Sequence, residues 1–222
     1  MPCQELATAV EPSTTVRNTA RDLSEPVLRR GVEDDAADLI SMHARCSEDT
    51  IQRRYLAPLP HLSPRLAHAL LTPDGGSSVV ATRGTELIAV ATFAPDHDGE
   101  HELGLLVEDR WQRRGLGSRL LQVAARQAAT QGVGRLVCVT HPDNSAVLST
   151  IRRAGFKARV TVVDGLAQAT FVPSGGTTER RRRGPEMAEV TNAVVPLLNA
   201  RGDLRDAFPV AGMIDQAVRS GA

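Results

Sequence analysis

The chain has 222 residues, 41% of them hydrophobic, and its 26 basic and 26 acidic side chains cancel to a formal net charge of zero. That size suits one globular domain with room for flexible ends, and the balanced charge excludes the global basicity of a general nucleic-acid or anionic-membrane binder. Three cysteines, Cys3, Cys46 and Cys138, are far apart and form no CxxC pair, which argues against a disulfide framework or a zinc knuckle and fits a reducing compartment. The N-terminus lacks the layout of a secretory leader, and no apolar run approaches the roughly 20 residues of a membrane span. The expectation is a soluble, cytoplasmic protein.

Residues 1–25 are polar and rich in Ser, Thr and Pro, and read as a disordered lead-in. "VLRRGV" (Val27–Val32) reads as a first strand. "EDDAADLISMHARC" follows as an amphipathic helix with Ala37, Ile40, Ala44 and Leu39 on its apolar face, and its acidic start suits the positive end of the helix dipole. A second helical region, Ile51 to Leu71, is broken by Pro58, Pro60 and Pro64. After the turn signal "DGGSS", "VVATRGTELIAVATF" reads as two strands joined near Arg83-Gly84, and "HELGLLV" is the next strand. A helix from about Gly115 to Gln131, a buried strand "RLVCVT", a short helix "NSAVLSTIRRA" and a hairpin "ARVTVV"/"QATFV" complete the pattern. The middle strands leave no room for crossover helices, so the fold class is a mixed α/β sheet and not a doubly wound one. The domain is expected over 26–173. "PSGGTTERRRRGPE" then reads as a flexible linker over 174–186, and residues 187–222 as a weakly helical tail, docked or free.

The informative stretch is "WQRRGLGS". Gly115 and Gly117 allow a sharp turn and close approach to a ligand. The helix that follows leaves its first N–H groups free at the positive end of its dipole, an anion site to which Arg113 and Arg114 add forked donors. A diphosphate is the natural occupant. The spacing is neither that of a P-loop nor GxGxxG, and GxG alone also fits a plain glycine turn at a helix start.

The wider pattern Gln112-Arg113-Arg114-Gly115-Leu116-Gly117 resembles the Q/R-x-x-G-x-G/A signature of the GNAT family, the acetyl-CoA-dependent N-acetyltransferases. The flanking strand and helix resemble that family too, as does "DNSAVLSTIRRAGF", its Asn-led helix ending in Gly-Phe; the likeness spans about Val27 to Pro173. The resemblance implies a central, mostly antiparallel sheet with flanking helices. It implies that the amides of Arg113 to Ser118, with Gln112, Arg114, Gly115, Leu116 and Gly117 in the signature, hold the pyrophosphate of acetyl-CoA. Leu105, Leu106 and Val107, on a strand that splays from its neighbour, would bond the pantetheine arm. Asn144 matches an asparagine that contacts the cofactor, and it is equally placed to cap a helix.

Acetyl transfer to an amine requires the amine to lose a proton, the carbonyl oxygen to be stabilised and the thiolate to leave. Glu102 is the candidate base. It shares a strand face with Gly104 and Leu106, where burial would raise its pKa toward neutrality. Glu100 and His101 compete for the role, His101 from the opposite face. "CSEDTIQRRYLAPLPHLS" followed by "HELGLLVEDRWQRRGLG" further resembles the GNAT domain of bacterial protein-lysine acetyltransferases, whose members carry a glutamate base at this distance from a Trp-Gln pair. Their early helix reads roughly Ser-x-Glu-Ser-x-Tyr-x-Arg-Phe-Phe; here the match is partial, with Arg53 placed as the arginine and Tyr55 where a Phe is usual.

One departure concerns the general acid. Where many family members carry a tyrosine after the Asn, this chain has Ile151; Ser149 nearby is a poor acid, and Tyr55 reads as a packing residue. Water or the product ammonium then supplies the thiolate's proton. His97, His101 and Glu102 lack metal-ligand spacing, Cys138 reads as a small buried residue, and Arg180–Arg183 reads as a solvated linker run, so no metal and no nucleic-acid partner is expected. The expected activity is acetyl transfer from acetyl-CoA to a primary amine. The acceptor is a protein lysine by the sub-family resemblance, with a small amine (amino acid, polyamine or aminoglycoside) or a non-catalytic acyl-CoA sensor as alternatives. Oligomeric state is not legible.

Overall fold

The computed structural model describes residues 25–96 and 100–176. The lead-in, His97, the arginine run and the tail lie outside the described residues. The elements follow the order β1 (Val27–Arg30), α1 (Ala36–Ala44), α2 (Glu48–Tyr55), α3 (Pro64–Leu71), β2 (Ser77–Arg83), β3 (Glu86–Pro95) and β4 (His101–Val107). Then come α4 (Leu116–Thr130), β5 (Leu136–Thr140), α5 (Ser145–Arg153), β6 (Arg159–Val163) and β7 (Leu166–Phe171), and a 3-10 turn, Pro173–Gly176, closes the described chain.

The seven strands form one sheet in the order β1-β2-β3-β4-β5-β7-β6. Every neighbouring pair is antiparallel except β4 with β5. This is the mixed sheet expected from the element order, and mostly antiparallel as the resemblance implies. Side chains alternate across it and feed two cores. On one face Phe93, Leu103, Leu136 and Phe171 pack with Leu120 and Leu121 of α4 and Ile151 of α5. On the other, Val80, Val90 and Leu106 pack with Leu39 and Met42 of α1, Ile51 and Tyr55 of α2 and Leu66 and Leu70 of α3.

The local signals explain the ends of these elements. Ser47 and Ser63 cap α2 and α3 by accepting from Thr50 N and Leu66 N, and Pro64 occupies the first turn of α3. β1 stops two residues short of the expected Val32. The Asp35 carboxylate accepts from the Val32 N–H at 2.9 Å and from both terminal guanidinium nitrogens of Arg29, turning the chain into a 3-10 turn before α1. The apolar face of α1 also differs from expectation. Leu39, Met42 and His43 are buried while Ala37 and Ala44 are exposed, because the larger side chains at i, i+3 and i+4 take the core.

Candidate active site

β3 pairs with β4 from one end of β4 to the other, but β5 pairs with β4 only at His101↔Leu136 and Glu102↔Val137. Beyond Glu102 the parallel neighbours part. A cleft of about 460 Å³ opens there, walled by Leu105, Leu106 and Val107, by the glycine loop, and by residues of α2 and α5.

At the loop, Arg113 adopts φ 58° and Gly115 φ 81°. A left-handed arginine is strained, and alternation of backbone hands turns successive N–H groups toward one point, an arrangement suited to an anion. Gly115 is the N-cap of α4 and offers no side-chain acceptor, so the first amides of the helix are left for a ligand. Gly117 and Ser118 line the cleft, and Ser118 Oγ donates to the Thr150 carbonyl at 3.3 Å, joining α4 to α5. Gln112 lines it too. Its Nε2 donates to the Val107 carbonyl at 2.9 Å and to Thr50 Oγ1 at 3.0 Å, so its side chain ties β4 to α2. Asn144 makes no side-chain cap; Nδ2 donates to Thr140 Oγ1 at 2.8 Å, holding the start of α5 to the end of β5 beside the cleft. Two expected loop residues turn their side chains elsewhere. Arg114 lies over the Trp111 ring at 5.3 Å, and Leu116 is buried in the α4-side core, which leaves its backbone alone to serve a ligand.

Glu102 sits where β4 and β5 separate. It is 8% exposed, and its Oε2 has no hydrogen-bond partner. Burial pushes its carboxyl up to about 7; Arg54 draws it down and Asp96 adds to the rise. The competing groups are placed otherwise. Glu100 pairs with Arg135 at 2.5 Å, and the His101 ring packs near Phe93 on the opposite face, 6.3 Å between centroids.

Sequence reasoning missed Arg54. The resemblance put its arginine at Arg53, which also lines the cleft and pairs with Asp49 at 2.8 Å, one turn back on α2. Arg54 instead lies across β4: a Cβ on Gly104 would fall 2.2 Å from its Cζ. The guanidinium also stacks on the Tyr55 ring, 5.0 Å from its centroid. A glycine inside a strand, one step along the face from Glu102, was the available signal for such close approach. The helix that delivers Arg54 is fixed from 62 residues away. Asp109 accepts from Ser47 N, Ser47 Oγ and Thr50 Oγ1 at 2.8, 2.7 and 2.8 Å. Burial would raise the Asp109 carboxyl, but these bonds outweigh it and hold it below the usual range.

No tyrosine faces the cleft. Ile151, in the position where many family members carry one, is 1% exposed and faces the α4-side core. Tyr55 is packed beside His43, and burial pushes its phenol up to about 12. Burial does the same to Cys138. Among the described residues no cluster of three His, Cys, Asp or Glu could hold a metal, and no helix is long and apolar enough to cross a membrane.

The parted strand pair and the left-handed loop on a helix N-terminus form a cleft suited to an anionic ligand, with a buried acid at the fork of the strands. The comparisons agree. The model of the acetyltransferase (GNAT) family matches residues 38–156, and the chain belongs to that family of acetyl-CoA-dependent N-acetyltransferases. It is similar to the GNAT domain of the S. lividans protein acetyltransferase PAT, at 28% identity and TM-score 0.62, over 68% of this chain and 93% of that one. At the level of fold it resembles a phosphinothricin acetyltransferase from Sinorhizobium meliloti solved with acetyl-CoA (17% identity, TM-score 0.53, 66% and 86% covered). A ribosomal-protein-alanine N-acetyltransferase from Brucella melitensis is alike in the same sense (19%, 0.53, 65% and 97%).

Proposed function

We propose that this acetyltransferase binds acetyl-CoA in the cleft between β4 and β5 and uses Glu102 as general base toward a primary amine. The amides of Arg113 to Ser118 hold the pyrophosphate, and the Leu105–Val107 backbone, free of β5, takes the pantetheine arm. Bound there, the thioester supplies an activated acetyl carbonyl. The amine arrives mostly as an ammonium, passes a proton to Glu102 directly or through water, and attacks that carbonyl. A backbone N–H of the Leu105–Val107 stretch faces the oxygen as it becomes negative. Water or the product ammonium protonates the departing thiolate, since Ile151 cannot.

The observation that carries this reading is Glu102. It is an acid buried at the fork of the strands, with an unpartnered oxygen and a carboxyl pushed up to about 7, matched to work near neutrality. A protein lysine is the favoured acceptor because of the likeness to the S. lividans PAT domain. The test follows thiol release from acetyl-CoA against small amines and a cell lysate. kcat/KM should rise with pH through about 7, and Glu102→Gln should lower it about 10²–10⁴-fold. Unchanged turnover of the variant at every pH would remove Glu102 from the mechanism.

A further inference from the structure

Among the described residues Arg54 is a cation that meets Gly104 and the Tyr55 ring but no acceptor. It makes no hydrogen bond or ion pair among the described residues, although it lines the cleft and its neighbour Arg53 is committed to Asp49. It lies near enough to Glu102 to draw that carboxyl down, yet Glu102 Oε2 receives no bond from it. Glu102 is buried and Arg54 half-buried, and an acid and a cation withdrawn from water that leave each other unpaired are costly unless a third group joins them.

The surroundings state what that group is. The guanidinium lies against Gly104 and within 5.0 Å of the Tyr55 ring centroid, so its position is set before a ligand arrives. Leu106 adds an apolar wall. One fixed fork in such a place matches one carboxylate, which takes two parallel N–H bonds. Glu102 and Gly104 are successive positions on one strand face, about 7 Å apart. An amine at Glu102 and a carboxylate at Arg54 therefore fall within the reach of one small zwitterion, or of a lysine beside an acidic residue.

We infer that the acceptor is an aminocarboxylate, its amine directed to Glu102 and its carboxylate held by Arg54. Arg54 is thus the residue that sets acceptor specificity. This rests on the reading of Glu102 as base and extends it to the substrate.

The experiment uses the full chain, acetyl-CoA and acceptors in matched pairs. Free α-amino acids are paired with their carboxamides, and peptides with Asp beside the lysine with the same peptides carrying Asn. The expected result is a preference for the acid member, in kcat/KM, of about ten- to a hundredfold. Arg54→Gln should collapse that ratio and Arg54→Lys restore part of it. An effect transmitted only through Glu102, or through the packing of α2, strikes both members of a pair alike and leaves the ratio standing. Equal use of acid and amide by the native protein overturns the inference, as does a preference that survives Arg54→Gln, or silence from every carboxylate-bearing acceptor. Which series shows the preference separates a free amino acid from an acidic peptide. If Glu102→Gln keeps full turnover while Arg54→Gln still collapses the ratio, the base assignment fails and the carboxylate site stands.

Discussion

The same burial that suits Glu102 to proton transfer makes it a liability to the fold. Its carboxyl titrates near 4.5 in the unfolded chain and near 7 in the folded one. The folded state therefore holds the proton more tightly, and stability falls as pH rises between those values. The contribution is whole below about 4.5 and lost by the time pH passes 7. Glu102→Gln removes the ionisation while keeping the shape. It should match the native protein in the acid and exceed it above pH 7 by up to about 3 kcal/mol, measured by chemical denaturation across the range. A difference that does not grow with pH would mean Glu102 is better solvated than its 8% exposure indicates. Activity and stability should thus move in opposite directions on substitution, as expected of a strained functional site.

At the scale of elements, the two glycines of the loop have different duties. Gly115 holds φ 81° at the N-cap of α4, where an added Cβ meets nothing yet the backbone hand disfavours it. Gly117 lies inside the helix, where a Cβ would make ordinary contact with Thr150 and Val107 at 3.6 and 3.8 Å. Gly115→Ala should cost about 1–2 kcal/mol, whereas Gly117→Ala should be neutral or stabilising by up to about 1 kcal/mol, as thermal melts can decide. Equal losses would show that crowding, not backbone hand, governs the loop. This loop, strand β4 and Glu102 were legible in the sequence because each is a local pattern: a glycine spacing, an alternation, a polar residue on an apolar face. The face of α1 was misread in part because alanines fit a helix stripe without having to be buried, and only the packed sheet selects Met42 and His43 beside Leu39. Gly104 signalled that something approaches β4, but that Arg54 fills the place, and that Asp109 clamps α2, was not legible for a different reason. Both depend on α2 meeting β4 and the turn after it, a pairing between segments about 50–60 residues apart that no local spacing encodes.

For the whole molecule, the sheet divides the labour. The α4-side core seats the loop and helix proposed to take the donor, while the α1–α3 core carries Tyr55 and with it α2, whose Arg54 is proposed to hold the acceptor. The cleft takes walls from both layers, since Arg54 and Thr50 come from α2 and Gly117 and Ser118 from α4. Cavities cut into the two cores should then have separable consequences. Leu120 and Met42 are each 0% exposed, one in each layer, and truncating either to Ala should cost about 2–5 kcal/mol of stability. Leu120→Ala loosens α4 and should weaken acetyl-CoA binding more than it raises the acceptor KM. Met42→Ala loosens the seat of α2 and should do the reverse. Calorimetric titration of acetyl-CoA and acceptor-saturation kinetics on both proteins measure the split. If both variants shift both constants alike, the sheet transmits strain from one face to the other, and donor and acceptor sites answer to a single core.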